Sequence, residues 1–429
     1  MRKVSWVLIG AAAGVALTLG LAPPRVAVTG ADAKPVPKTE LYRLLTLFGD
    51  AFERVRTDYV EKPDDGKLVI SAVNGMLSNL DDSYYVDPQA LNHSDVCSGP
   101  SCAGFGDIGI SYTMEDGLAT VVTVLDNSPA AKTELVTGDV IIRLDDHPVD
   151  GLTFRQVGTK LSGQVGSTIR LTIVHPGQDK PIDIPIVRTI PARDSVSSRV
   201  AGDDIGYIRI AQFNEATSQQ LKKAFAGIGA RAAPDKLKGY VLDLRNNPGG
   251  VLEDAVAAAD AFLDDGEIVS VHHRATDKIE RFRATAGDLA GGRPVVVLIN
   301  GGSASKAEIV AAALHDNHRA TLVGTRSFGK GWESTLVPLG PKKGAIRLAT
   351  GDDFTPSGRL IQGNGIAPDI EVAQDIPESL KATLKIPDKP LANLQSYIPA
   401  DANADKALNA AYDLLRKKSA AALGTAQMP

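Results

Sequence analysis

The fold of the larger part of this chain is decided by the stretch Tyr240-Val241-Leu242-Asp243-Leu244-Arg245-Asn246-Asn247-Pro248-Gly249-Gly250. An apolar strand here runs into a glycine-rich turn, and a helix-forming segment follows from about Val251 to Leu263. The same order recurs at Val295–Ile299, which is followed by Asn300-Gly301-Gly302 and a helix through Leu314. Repeated βα units predict a mixed, substantially parallel sheet covered by helices, with functional groups in the loops after the strands.

Outward from this core, the pattern predicts an α/β multidomain protein. Residues 191–375 form the βα core. Residues 96–190 alternate with a period near two and predict a small β-rich module containing one short helix, Phe154–Leu161. Residues 34–95 predict two amphipathic helices, over Thr39–Val60 and Lys67–Leu80, and residues 376–429 a C-terminal helical tail with a helix over Asp405–Leu415.

Composition excludes several classes of function. The 429 residues are 43% hydrophobic and 23% charged, which is ordinary for a globular chain with a core and unlike a disordered one. The net charge of −5 gives no global basic footprint, and aromatic residues make up only 5%. We therefore expect no nucleic-acid partner.

The N-terminus predicts export. Arg2 and Lys3 precede an apolar run over residues 4–22, and Ala31-Asp32-Ala33 is a small-x-small cleavage candidate. Residues 1–33 are therefore either a signal peptide or an N-terminal membrane anchor, and both place the remainder outside the cytoplasm. Export in turn favours a disulfide between Cys97 and Cys102, worth about 2 kcal/mol for so short a loop, over two free thiols.

Ser305 is the strongest candidate for a catalytic residue among the loops that follow the strands. Taken alone, Ser305-Lys306-Ala307-Glu308 matches a capping box, in which the serine only begins a helix. A histidine base is not supported, since about ten residues at a 1.5 Å rise place His315 roughly 15 Å away on the same helix. Gly324-x4-Gly329-Lys330 lacks the Ser or Thr that completes a phosphate-binding loop, so we expect no nucleotide.

The chain resembles the carboxyl-terminal processing proteases, also called tail-specific proteases, over nearly its whole length. Seven stretches carry the resemblance: Phe48–Val55, Asn74–Leu77, Gly206–Phe213, Leu242–Gly250, Phe328–Gly331, Thr355–Arg359 and Gly365–Ile370. The β-rich module is similar to the PDZ domain of that family at Gly104–Ile110, Ser128–Ala131 and Gly138–Ile141. The resemblance implies a serine endopeptidase with no cofactor and no metal.

The resemblance also implies catalytic roles. Ser305 falls on the nucleophile, and Lys330, 25 residues later, on the base. A lysine of ordinary pKa, near 10.4, is charged at neutral pH, so the base must be desolvated, which Gly329 and Gly331 would assist by close packing. Asp316 falls on the position of an acidic residue that supports catalysis in the family, and we expect it to orient Lys330 or its loop. The alternative is that Asp316 is an acid on the surface at the C-terminal end of its helix.

Backbone amides complete the site that the resemblance implies. The oxyanion donors are the amide of Lys306 and one from Gly249 or Gly250. Ile108-Gly109-Ile110 would bind the free, apolar C-terminus of a protein substrate, which then threads to Ser305.

Two departures from the family pattern motivate an alternative function. Lys306 replaces the usual alanine after the nucleophile, where its ammonium would either lie near Lys330 or face solvent. Ser334 replaces a glutamine that usually orients the lysine. The alternative is a catalytically silent PDZ-containing scaffold that binds peptides. We expect a periplasmic protein. Anchoring in the inner membrane through residues 4–22, binding of an adaptor protein and assembly into a homo-oligomer are further possibilities that the sequence leaves open.

Overall fold

A computed structural model describes most of the chain. The described residues are 37–77, 80, 83–88, 105–115, 117–125, 128–152, 154–175, 180–190, 195–274, 277–375, 396–399 and 401–425. The predicted signal or anchor and the pair Cys97 and Cys102 lie outside them. Within them, no helix combines the length and the apolar character needed to cross a bilayer.

The chain divides into two units, residues 1–68 and 69–429. Both predicted N-terminal helices are present, as α1 (Lys38–Asp58) and α2 (Asp65–Leu77), the second ending before the predicted Leu80. Apolar side chains recur along α1, yet none of its residues is buried. The exposed ones include Leu41, Leu44, Leu45, Phe48 and Val55.

The β-rich module is built on an antiparallel sheet. After β1 (Tyr84–Val86), its strands are β2 (Phe105–Gly106), β3 (Ile110–Glu115), β4 (Leu118–Val124), β5 (Val140–Leu144), β6 (His147–Pro148), β7 (Gly163–Gln164), β8 (Thr168–Val174) and β9 (Ile182–Val187), with α3 (Phe154–Leu161) between β6 and β7. The sheet order is β3-β4-β5-β8-β9, so β3 lies at an edge. Alternate residues of β8, such as Ile169, Leu171 and Ile173, face the core, which explains the period of two.

The central sheet of the second unit has the order β10-β11-β12-β15-β16-β19. Its strands are β10 (Val196–Ala201), β11 (Ile205–Ile210), β12 (Gly239–Asp243), β15 (Val295–Ile299), β16 (Ala320–Gly324) and β19 (Ile370–Glu371). Only β10 runs antiparallel to its neighbour. Every residue of β12 and β15 is buried, because helices cover both faces, and this explains their unbroken apolar sequences.

Four helices form the layers on this sheet. The helices α4 (Thr217–Arg231), α5 (Leu252–Asp260) and α6 (Lys306–Asp316) pack with Val295, Val297 and Ile299 on one face. The C-terminal helix α7 (Lys406–Thr425) packs on the other face, against Val296 and Leu298. The C-terminal helical segment is therefore one layer of the core.

A second sheet, which is antiparallel, contains the strand that follows the loop of Lys330. It contains β1, β13 (Glu267–His273), β14 (Lys278–Arg283), β17 (Trp332–Pro338) and β18 (Ala345–Phe354). The predicted mixed α/β architecture is confirmed.

Candidate active site

Ser305 stands where β15 has ended and α6 begins. It is the N-cap residue of α6, with φ of 52° and ψ of −117°. A positive φ is strained for a residue with a side chain, and such strain is found where surrounding contacts impose it. Here the Ser305 amide donates to the Glu308 Oε2 atom at 2.9 Å, which holds the backbone in this conformation. The serine side chain is thereby presented at the positive end of a helix dipole.

Lys330 lies in the loop between β16 and β17, and its glycine neighbours are packed as tightly as the sequence predicts. A Cβ atom on Gly329 would lie 3.0 Å from the Gly365 nitrogen, and one on Gly331 would lie 2.5 Å from the Gln362 nitrogen. The amide of Gly331 donates to the Gln362 Oε1 atom at 2.8 Å. Any larger residue at these two positions would push Lys330 away from its surroundings.

Glu308 joins the serine to the lysine. Its buried carboxylate accepts four hydrogen bonds: Oε2 from the amides of Ser305 (2.9 Å) and Lys330 (2.8 Å), Oε1 from the Gly329 amide (2.8 Å) and the Ser327 hydroxyl (2.5 Å). Because one oxygen atom binds both backbones, the two candidate catalytic residues are held side by side. Burial raises the pKa of Glu308 to about 7, although these donors oppose the rise.

The glycines of the Arg-Asn-Asn-Pro-Gly-Gly turn lie against the serine. A Cβ atom on Gly249 would lie 2.9 Å from the Ser305 Cβ atom and 2.8 Å from the Lys306 nitrogen. The Gly249 amide donates to the Asn247 Oδ1 atom at 2.8 Å. Among the described residues the amides of Gly250 and Lys306 have no acceptor, which makes them the better candidates for binding an oxyanion.

Asp316 takes part in a different set of contacts. It ends α6, and its carboxylate accepts hydrogen bonds from the Ser357 amide (3.0 Å) and from Arg359 (2.9 Å), with His315 beside it. Burial would raise the pKa of Asp316, but these hydrogen bonds outweigh it and lower the pKa to about 2. The structure thus holds Asp316 against residues 357–359, not in the Glu308 cluster that contains Lys330.

The predicted tail-binding residues lie at the start of the edge strand β3. Gly109 has φ of 76°, and a Cβ atom there would lie 2.1 Å from the Ser128 Cβ atom, so only glycine fits. Its amide donates to the Asp107 Oδ1 atom at 2.9 Å. Ile108 is buried in the core of the β-rich module, whereas Ile110 is half-buried at the edge.

The β-rich module also contacts the serine loop directly. The buried Thr123 hydroxyl, on β4, donates to the Gly302 carbonyl at 2.7 Å. Gly302 lies three residues before Ser305, so the antiparallel sheet of the β-rich module and the loop that carries Ser305 share a hydrogen bond.

Comparisons with known proteins identify the family. Residues 204–372 match peptidase family S41, and residues 106–186 match the PDZ domain. The carboxy-terminal-processing protease of Bartonella bacilliformis is 46% identical over 391 residues, which cover 87% of this chain and 89% of that protein. This chain belongs to the carboxy-terminal-processing protease family.

Two further comparisons agree with the assignment to the carboxy-terminal-processing proteases. The carboxy-terminal processing protease CtpA of Bacillus subtilis is 34% identical over 348 residues, covering 79% of this chain and 71% of that protein. A solved structure of a photosystem II D1 C-terminal processing protease covers 82% of this chain and 99% of its own, with a TM-score of 0.63 at 24% identity. The latter likeness supports the fold.

In this carboxy-terminal-processing protease, the side chain of Lys306, the residue after Ser305, does not face solvent. The Lys306 ammonium is buried, where it forms ion pairs with Glu333 of β17 and, at 3.3 Å, with Asp353 of β18. Burial raises the pKa of Asp353 to about 6, although the lysine opposes the rise. The expectation that Lys306 lies near Lys330 or faces solvent therefore missed these two acidic partners.

Sequence reasoning identified Glu308 only as a capping residue. The capping box was a valid signal for the first turn of α6, and the Ser305 amide does bind the Glu308 carboxylate. The partners that give Glu308 a larger role, Gly329 and Lys330, are more than twenty residues away. One further signal was present in the sequence: Glu308 is an acid within the otherwise apolar stretch Ala307–Leu314, and an acid in such a stretch requires polar partners if it is buried.

Proposed function

We propose that this carboxy-terminal-processing protease is a serine endopeptidase with a Ser305–Lys330 dyad, which cleaves exported proteins near their apolar C-termini. The observation that carries the proposal is the shared Glu308 Oε2 atom, which binds the amides of both dyad residues. A base must lie within reach of the proton that it removes, and this bridge keeps the two residues adjacent.

Apart from the substrate and one water molecule, the proposed reaction uses only groups of this chain. The neutral Lys330 amine takes the proton of the Ser305 hydroxyl as the oxygen attacks the scissile carbonyl carbon. The resulting oxyanion accepts hydrogen bonds from the amides of Lys306 and Gly250, each such donor contributing about 3 kcal/mol. The Lys330 ammonium then protonates the leaving amine, and a water molecule, activated in the same way, releases the acyl group from Ser305.

The substrate tail is proposed to bind at the edge of β3. An extended peptide can add to this edge, since β3 pairs on one side only within its sheet. Ile108-Gly109-Ile110 would hold the terminal carboxylate, with Ile110 contacting an apolar side chain. The hydrogen bond from Thr123 to Gly302 would allow the β-rich module, when a peptide is bound to it, to stabilise the loop that carries Ser305.

Location and assembly are further parts of the proposal. The basic, apolar N-terminal segment supports a periplasmic protein, either cleaved or anchored in the inner membrane through residues 4–22. The exposed apolar side chains along α1 support a homo-oligomer or the binding of an adaptor protein. Sedimentation of the full chain, with and without Leu45→Glu on α1, tests for a homo-oligomer. The same mass for both proteins would contradict an oligomer formed through α1.

The dyad is tested with a protein that carries an apolar C-terminal tail. Ser305→Ala and Lys330→Met should each abolish cleavage while binding of the tail peptide is retained. The matched controls are Ser197→Ala and Lys222→Met, because both residues are exposed and lie more than 80 positions before Ser305 in the sequence. Equal cleavage by Ser305→Ala and the unaltered protein would refute the protease; tail binding without cleavage by the unaltered protein would favour the silent scaffold.

A further inference from the structure

The C-terminal segment reaches the candidate active site through one buried acid. Asp405 directly precedes α7, and its Oδ1 atom accepts from the Leu408 amide at 3.0 Å, which caps the first turn of that helix. The same carboxylate forms a two-point ion pair with the buried Arg245: Nη1 donates to Oδ1 at 2.9 Å, and Nη2 lies 2.8 Å from Oδ2. Arg245 is the first residue of the Arg-Asn-Asn-Pro-Gly-Gly turn, so a residue 160 positions later holds the start of that turn.

Arg245 is held on its other edge by Asp243, the last residue of β12. The Arg245 Nε atom donates to the Asp243 Oδ1 atom at 3.0 Å, and Nη2 donates to Oδ2 at 2.7 Å. A guanidinium group is planar and presents its donors in a fixed fork. Because carboxylates bind it on two edges, it cannot rotate or shift without breaking charge-assisted hydrogen bonds. The side chain of Arg245 is therefore a fixed link between the end of β12 and the start of α7.

The backbone that follows Arg245 is bonded to the loop that carries the nucleophile. The Asn246 amide donates to the Asn300 Oδ1 atom at 2.9 Å. The Asn247 carbonyl accepts from the amide of Ala304, the residue before the serine, at 2.9 Å. A displacement of Arg245 would therefore change how the glycines of its turn lie relative to the nucleophile.

A second contact joins the C-terminal part of the chain to the nucleophile loop. The Asn300 Nδ2 atom donates to the Ser396 carbonyl at 3.2 Å and to the Asn246 Oδ1 atom at 2.8 Å. Apolar side chains such as Leu408 and Leu415 already hold α7 against the sheet. A buried ion pair often stabilises a protein no more than apolar residues of the same volume would. The two polar contacts are therefore better explained by the placement of two active-site loops than by the attachment of the helix.

We propose that Asp405 is a positioning residue, which acts through Arg245 to hold the Gly250 amide in place beside Ser305. The inference rests on the proposed function, in which that amide binds the oxyanion. Asp405→Asn is nearly isosteric and keeps one acceptor, but its NH2 group would face the Arg245 Nη2 atom, donor against donor. The guanidinium then loses one of its two fixed edges. We expect weaker binding of an oxyanion and unaltered binding of the substrate peptide.

A peptidyl aldehyde and the matching peptidyl alcohol test this inference. The Ser305 oxygen adds to the aldehyde carbon, the π electrons of the carbonyl group move to its oxygen, and the serine proton passes to Lys330. The alcohol makes the same peptide contacts but forms no oxyanion, so the ratio of the two affinities measures the oxyanion site. We expect this ratio to fall about tenfold in Asp405→Asn and in Arg245→Lys, which keeps the charge but loses the fork. The double variant should show no further fall, because both changes act through one contact.

Leu415→Ala is the control for a general loosening of α7. Leu415 is fully buried and lies ten residues after Asp405, which places it about 15 Å away along the helix. Its replacement should lower the free energy of unfolding and leave the affinity ratio unaltered. A purely structural role of Asp405 would lower the folded fraction, and hence both affinities together, without changing their ratio. If the unaltered protein prefers the aldehyde, an unchanged ratio in Asp405→Asn would refute the inference.

Hydrogen exchange separates this inference from the proposed function, because it needs no catalysis. Exchange of the amides within residues 246–250 is measured by mass spectrometry, relative to the amides of β12. We expect it to rise about fivefold in Asp405→Asn and to stay unchanged in Leu415→Ala. That result in a protein that neither cleaves nor prefers the aldehyde supports the positioning role and defeats the protease.

The opposite results are equally decisive. Equal exchange in Asp405→Asn and the unaltered protein would overturn the positioning role, while cleavage that is lost in Ser305→Ala would leave the protease standing. If Asp405→Asn does not fold, Arg245→Lys carries both measurements. Exchange that stays unchanged in Arg245→Lys would then refute the inference.

Discussion

Replacing Glu308 with glutamine isolates the contact that holds Ser305 and Lys330 together. The single carbonyl of glutamine can serve either the Oε2 site or the Oε1 site, and its NH2 group must occupy the other. The Oε1 site is the cheaper place for the NH2 group, because the Ser327 hydroxyl can turn to accept from it. One buried donor, the Gly329 amide, then faces an NH2 group and loses its acceptor.

An unsatisfied buried amide costs about 1 to 3 kcal/mol. The neutral side chain, however, avoids the cost of burying a charge, which is the cost that raises the pKa of Glu308 to about 7. We therefore expect Glu308→Gln to lower the free energy of unfolding by about 1 kcal/mol. Displacement of the Gly329–Lys330 backbone is not offset in this way, so the acylation rate of Ser305 should fall about 10- to 100-fold. Glu308→Ala, which leaves three buried amides without acceptors, should be worse in both respects.

The assay combines phosphonylation of Ser305 by a fluorophosphonate, in which fluoride leaves and whose rate stands in for that of acylation, with urea unfolding and binding of an apolar tail peptide. Glu253→Gln is the matched control, since Glu253 lies in the first turn of α5 but is exposed. It should change the free energy of unfolding by less than about 0.5 kcal/mol and leave acylation unaltered. A Glu308→Gln protein that acylates at the rate of the unaltered one would refute the bridging role of this carboxylate.

Three other substitutions follow from the structure. Asp316→Asn should lower the free energy of unfolding by roughly 2 to 3 kcal/mol at pH 7, because the pKa of Asp316 is lowered to about 2 in the folded protein. This contribution is present above pH ~4 and is lost as the pH falls through about 2. Urea titrations of the two proteins should therefore give the same free energy of unfolding near pH 2. Arg245→Met should lower the free energy of unfolding by about 3 to 5 kcal/mol in thermal unfolding, because it leaves the buried Asp405 without its arginine partner and Asp243 with Arg209 alone; Arg231→Met on the exposed end of α4 is the control. Thr123→Val, which removes the donor to Gly302, should slow acylation several-fold while tail-peptide binding persists, and an unchanged acylation rate would exclude this route between the sheet and the serine loop.

The elements that sequence reasoning located best are those with strong local signals. Val295–Ile299 and the helix Phe154–Leu161 were predicted with the observed bounds, because a continuous apolar run and a helical period are both read within a few residues. The end of α7 was missed: the prediction stopped at Leu415, which is a buried apolar residue, whereas the helix continues to Thr425 through an alanine-rich stretch. Alanine sustains a helix by intrinsic propensity where packing gives no signal.

The residues of the candidate site could be proposed from the sequence, whereas the contacts that join them could not. Ser305 and Lys330 are predicted from a resemblance, and the close packing at Gly329 and Gly331 was expected from the need to desolvate Lys330. Lys306 was expected either near Lys330 or in solvent, because no local pattern reveals that strands formed by residues 332–338 and 345–354 bring two acids to it. Such pairings depend on tertiary structure alone.

The capping box at the start of α6 shows how a common local motif can also form long-range contacts. In most helices the glutamate of this motif lies at the surface and satisfies one amide. Here Glu308 is fully buried, because the loop over residues 327–330 lies across it and supplies three of its four donors. The carboxylate is thus stable in its buried place only while that loop is folded against α6. The same contacts bring Lys330 to Ser305, so the proposed dyad and the satisfied carboxylate form together or not at all.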